Sequence, residues 1–305
     1  MIKSRHLDDT LKTRLANDAR AYMASQGGTI FFVDGNDGSD SYDGLSWDNP
    51  FKTLTQAFGV SHADIDQRSR WAKRNLIYAA GDSFEEDLTT LARKTDVVGV
   101  GSCDYLPMAR IIGTHTIGAV GYDGCRFLNM GFKGVAGGDD IMVLNNSHNG
   151  IAFIGCDFDG NAAVAAEGAI VATACESLVI EGCKFEGPFT DAVIELGAGE
   201  CNGLMIRGNV IAGANEGIML SATATTGQRA GWIIDNIIKS TLCCINDTSG
   251  SKIHVVGNRG ITLAAAGTAG AGAVVCNQFL ASDNQFTCSN LAFMYPLAFD
   301  ADATA

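Results

Sequence analysis

Four carboxylates recur at nearly constant spacing: Asp140, Glu167, Asp191 and Glu216, which are 27, 24 and 25 residues apart. Each opens a short apolar run, as in Asp140-Ile-Met-Val and Glu216-Gly-Ile-Met. If the chain repeats at that period, these side chains stack as a column entering one sheet. Like charges about 5 Å apart raise each other's pKa or recruit a cation. A carboxyl pair about 5–5.5 Å apart suits a retaining glycosidase, and a wider pair an inverting one. Trp232 is the best candidate for stacking on a sugar ring. The competing reading is that polar residues mark a solvated turn before each strand. A metal centre is not expected, because the ten cysteines include no Cys-x-x-Cys pair. The weaker cation candidate is the loop holding Asp34, Asn36, Asp37, Asp40 and Asp43, where alternate oxygen ligands can bind Ca²⁺. The same residues form turns, and no cofactor is expected.

The elements that must position these residues come from a longer repeat. Leu178–Gly187 (LVIEGCKFEG) has relatives at Ile151–Gly160, Leu204–Gly213, Gly231–Ser240, Ile253–Thr262 and Phe279–Cys288, with divergent copies around residues 98–106 and 120–130. Aligned on a central Cys or Asn, the anchors are Cys103, Cys125, Cys156, Cys183, Asn209, Asn236, Asn258 and Asn284. Their separations run 22, 31, 27, 26, 27, 22 and 26 residues. Such a period predicts a solenoid. Apolar residues lie five and three before the anchor, as Ile151 and Phe153 do, and offsets of two mean strand. Before most anchors stands Gly, and before Asn236 and Asn284 stands Asp. These residues tolerate positive φ, so a fixed bend ends each strand. Stacked Asn at an inward bend can bond amide to amide as a ladder, and Cys is a small apolar substitute there. A repeat of about 26 residues has room for three short strands. The fold class read from this pattern is all-β, a right-handed parallel β-helix with an N-terminal helix and a helical cap.

The segment Phe31–Phe58, with its Asp/Gly-rich loop and Pro50-Phe-Lys-Thr, resembles the N-terminal cap of the pectate-lyase-like β-helix superfamily. Asn75–Leu88 resembles the next element of that family, and Val97–Cys103 its first full coil. The resemblance implies a β-helix over about residues 29–290 and little about activity, since that fold hosts lyases, hydrolases, adhesins and viral spikes. Gly138-Asp139-Asp140-Ile141-Met142-Val143 resembles the paired-Asp strand of β-helix polygalacturonases. Their Gly-His-Gly and Arg-Ile-Lys elements have no counterpart. Arg207, Arg229 and Arg259 are candidates for a lyase-type base, but no adjacent acidic set accompanies them.

The resulting organisation is a helix over 1–28, a cap over 29–75, the β-helix over 76–290 and an apolar plug over 291–305. Within the first segment, Leu7, Leu11, Leu15, Ala19 and Met23 recur every four residues, after Ser4 as cap. The stripe is narrow, and a lone helix of this length is marginal in water. Residues 4–24 are therefore expected either to fold back over the first coil or to attach the chain to itself or to a larger assembly. The net charge of −13 argues against nucleic acid and anionic membrane as partners. The opening MIKSRHLDDTLK lacks an apolar signal core, so assembly in a host cytoplasm is expected. Buried reduced thiols fit that compartment.

These features together resemble a short β-helix protein of a phage or other virus particle. The expected function is a non-enzymatic structural or receptor-facing role, of tail-spike or capsid-decoration type. The other expected class is a polysaccharide lyase or glycoside hydrolase acting on a surface glycan.

Overall fold

The computed structural model describes residues 28–68, 73–81, 83–101, 109–118, 121–135, 139–145, 148–160, 166–197, 201–220, 230–247, 252–262, 274–276, 279–282 and 285–288. The expected helix over residues 4–24, the anchors Cys103 and Asn284, Arg229 and the C-terminal plug lie outside them. Among the described residues the chain is all-β with one α-helix. One sheet has ten strands, taken in chain order from Ile30–Asp34 to Phe279–Ser282. The next sheet has two arms. One runs through Gly131–Lys133, Asp157–Asp159 and Lys184–Glu186, the other through Met142–Leu144, Ile170–Ala172 and Ala192–Leu196. The long strands Val210–Leu220 and Ile237–Asp247 take part in both arms. Every strand therefore pairs in parallel with its counterpart one repeat away, an arrangement compatible with a β-helix.

Among the described residues, the bend before each anchor from Cys156 to Asn258 is left-handed. Gly155, Gly182, Gly208 and Gly257 have φ between 59° and 68°, and Asp235 takes the same bend at 55°. The bend amides bond to the next repeat: Gly155 N–H to Glu181 O, Gly182 to Arg207, Gly208 to Ile234 and Asp235 to Val256. Phe127 and Phe153 before the bend, and Phe132, Phe158 and Phe185 after it, all point inward. Phe127 stacks on Phe153 at 5.4 Å between ring centroids. Phe132, Phe158 and Phe185 form a second stack at 4.8 Å spacings. The spacing is that of the strands themselves, so identical residues in successive repeats meet face on.

The register corrects one expected anchor: Arg126 pairs with Ala152, so Cys125 lies level with Ile151, and Met130, after a left-handed bend at Asn129 (φ 54°), is the residue level with Cys156. The anchors Asn209, Asn236 and Asn258 are fully buried. Asn209 Nδ2 donates to Asn236 Oδ1 at 2.9 Å, and Asn236 Nδ2 to Asn258 Oδ1 at 2.8 Å. The Oδ1 atoms of all three accept the backbone N–H of the preceding anchor, with Cys183 N–H on Asn209 Oδ1. Each amide also donates to a carbonyl of the preceding repeat: Ile180, Ile206 and Ile233. Cys156 and Cys183 reproduce only that last bond, through Sγ to the carbonyls of Phe127 and Phe153. Every cysteine from Cys125 to Cys244 is a free, buried thiol.

At the start of the stack, the helix Leu54–Arg68 packs on the strands Ile30–Asp34 and Asn75–Ala80. It buries Leu54, Ala57 and Phe58 in the common core. Its first turn is held from outside: the Glu86 carboxylate accepts the N–H groups of Leu54 and Thr55, and Thr53 Oγ1 accepts that of Gln56. In the loop before it, Asp34 accepts the N–H groups of Asn36 and Asp37, Asp40 those of Lys52 and Thr53, and Asp43 that of Leu45. These carboxylates are turn formers.

Candidate functional site

The four recurring carboxylates gather at the edge of the arm formed by Met142–Leu144, Ile170–Ala172 and Ala192–Leu196. They do not form a straight column. The register Met142↔Ile170↔Ile194 sets Asp140 level with Gly168 and Ala192, and Ala192 pairs with Glu216. Glu167 and Asp191 fall one residue earlier, in the neighbouring row. Gly168 leaves room for the aspartate: a Cβ there would come within 2.9 Å of its Oδ1. A fifth acid, Glu195, stands on the outer face of Ala192–Leu196, where its strand neighbours are Val171 and Met219. The four-residue spacing from Asp191 hid it, although strand alternation in Ala192-Val-Ile-Glu-Leu points Ile194 inward and Glu195 outward.

The electrostatics follow from that crowding. Burial pushes the Asp140 carboxyl up to about 6, aided by the charges of Glu167, Glu195 and Asp191 and opposed by the Gly168 N–H. Burial also raises Glu216, with Asp191 and Glu195 adding to the shift, while the Asn246 amide, bonded to both carboxylate oxygens, opposes it. The arrangement holds a protonatable acid among other carboxylates, the charge pattern of a general acid beside a base. Asp140 and Glu216 lie three strand spacings apart in one row, about 14 Å along the stack.

Trp232 is not part of this cluster. It belongs to the ten-stranded sheet, 44% exposed, and stacks on His254 at 4.2 Å. The structure therefore puts the aromatic candidate and the acids on different sheets. Arg207, on Trp232's sheet, is paired with Glu181 one strand away. Asp96 is gripped by Arg74 and Arg126.

Two histidines are buried as well. His115 Nδ1 accepts the Leu88 N–H at 3.1 Å, and its Nε2 has no partner among the described residues. Burial drives its pKa down to about 4. His148 stacks on Tyr122 and pairs in register with Cys175. Both line the interior beneath the sheets and are not open to a substrate. No family model, curated protein or solved structure matches the chain.

Proposed function

We propose that the chain is a right-handed parallel β-helix serving as a structural or receptor-facing component of a virus particle, of tail-spike or capsid-decoration type. The observation that carries this reading is where the polar groups are spent. The best-organised polar network is the buried ladder Asn209–Asn236–Asn258, which acts on cohesion alone. Surface charges likewise tie repeats together, as in Arg207–Glu181 and Lys133–Asp159 on adjacent strands and Arg110–Asp157 across the strand of Gly131. Free buried thiols suit assembly in a reducing compartment. Density-gradient purification of particles from cells that make the protein tests the reading. The chain should co-sediment with particles at constant stoichiometry after a high-salt wash. Recovery only in the soluble fraction would refute it.

A second reading, hydrolysis or lysis of a surface polysaccharide, is favoured by the raised Asp140 among its acidic neighbours. It predicts release of reducing ends or unsaturated sugars from a glycan panel, abolished by Asp140→Asn. The same panel checks glycan binding without turnover at Asp140, Glu167, Asp191 and Glu216, and separately at Trp232.

A further inference from the structure

The outer face of the ten-stranded sheet holds two rows set by strand register. The first is Leu128, Ile154, Glu181, Arg207, Ile234 and Val256. Beside it run Ala152, Val179, Met205 and Trp232, flanked by Arg126 and His254. In a chain of net charge −13, these twelve positions carry one acid and two arginines. Eight are Ala, Val, Leu, Ile, Met or Trp. The acidic cluster described above lies on the other sheet. Two copies of so acidic a chain repel each other over most of their surface, so this face is where they can approach.

We propose that this face is a self-association surface on which a second copy packs antiparallel, about a two-fold axis between the strands Val179–Glu181 and Leu204–Arg207. The order of residues along the rows fixes that axis. A two-fold lying in the face and parallel to the strands reverses the order of strands and keeps each row opposite its own copy. Centred there, Glu181 of one copy meets Arg207 of the other, and the reciprocal pair forms by symmetry. Ile154 then faces Ile234, and Leu128 faces Val256. In the second row Val179 faces Met205, and the exposed Trp232 lies over Ala152, which is small and almost fully buried and so leaves the indole room between its neighbours. A shift of the axis by one strand sets Glu181 or Arg207 against apolar side chains and loses both cross-pairs. Six strands at about 4.8 Å and two rows about 7 Å apart give a patch of roughly 30 by 14 Å per copy. That is about 800 Å² over both copies before corrugation, the range of weak, concentration-dependent association. The surface is independent of residues 4–24 and of the role in a particle.

Sedimentation velocity of the full chain over a wide concentration series tests the arrangement. Wild type should shift from monomer toward dimer as concentration rises. Glu181→Arg and Arg207→Glu, each carrying like charges at both positions, should each weaken dimerisation by at least about tenfold. Mixed one to one, the two variants should recover it, because every cross-pair is then between opposite charges while the pair within each chain stays broken. Recovery on mixing is an outcome that loss of an internal ion pair does not produce. Trp232→Asp, at an exposed position, should abolish dimerisation with circular dichroism unchanged, and serves if a charge variant misfolds. A wild type that stays monomeric throughout, a dimer indifferent to Trp232→Asp, or a mixture no better than its components overturns the proposal.

Discussion

Replacing Asn236 by Leu tests the ladder most directly. Its side chain makes four bonds: Nδ2 donates to Asn258 Oδ1 and Ile206 O, and Oδ1 accepts from the N–H and Nδ2 of Asn209. Two of these partners keep another bond. Asn209 Nδ2 still reaches Ile180 O, and Asn258 Oδ1 still accepts the Asn236 N–H. The Asn209 N–H and the Ile206 carbonyl, both on fully buried residues, lose the bond that the ladder gives them. At about 1–3 kcal/mol per orphaned group, offset in part by the added apolar side chain, Asn236→Leu should cost about 3 kcal/mol. Asn236→Cys should cost less, about 1–2 kcal/mol, because Cys156 and Cys183 show a thiol holding the equivalent carbonyl. Urea denaturation gives the totals. Hydrogen exchange locates them, since the Asn209 amide should lose protection in both variants. Equal stability of all three proteins, or a Cys variant as damaged as the Leu variant, would refute the reasoning.

Further outcomes follow from the titrating groups. Cys125 and Cys175, each with burial pushing its thiol up to about 12, should resist alkylation at pH 8 and react fully only in denaturant. His115 is neutral in the fold, with its pKa lowered from 6.5 to about 4, so its contribution is present above pH 6.5 and lost as pH falls toward 4. That loss amounts to about 3 kcal/mol, and His115→Phe should flatten this acid limb in denaturation curves across pH. Asp140 has the opposite sign: its folded pKa is raised from 3.8 to about 6, so the protonated fold is favoured and stability falls as pH rises from about 4 to 6. Asp140→Asn should remove that slope and stabilise the protein at pH 7, and a carboxyl carbon titration by NMR should place the wild-type midpoint near 6.

The repeat was legible because its signals are local. From Cys156 to Asn258, offsets of two around each anchor mark strands, and Gly or Asp before it marks a bend, so Asp235 at φ 55° follows from the alignment alone. Cys125 misled the alignment because it too follows a glycine, whereas its repeat bends at Asn129 and sets Met130 level with Cys156. The acidic face was harder to read. Spacings of 27, 24 and 25 residues locate the carboxylates to within a residue, but a one-residue offset moves a side chain into the neighbouring row. Insertions between repeats set that offset, and period alone does not reveal them. Trp232 shows the same limit: aromatic type marks it as a candidate, while only the order of strands shows that its sheet is not the acids' sheet. The outer rows of the ten-stranded sheet escaped notice because each apolar residue there reads as ordinary strand composition until the register lines them up.

The division of labour between inside and outside follows from one feature, the identity of neighbouring repeats. Identical residues stacked at strand spacing are favourable for phenylalanine, which stacks, and for asparagine, whose amide is both donor and acceptor. They are unfavourable for carboxylates. The interior therefore repeats, with Phe132, Phe158 and Phe185 in one row and Asn209, Asn236 and Asn258 in another. The surface must vary or alternate in sign, as Glu181 and Arg207 do. The row Asp140, Gly168, Ala192, Glu216 keeps its two acids apart with small residues, yet Glu167, Asp191 and Glu195 crowd around it and burial lifts the Asp140 pKa. That face departs from the alternation expected for cohesion alone, and the departure costs stability that removing the Asp140 charge should return.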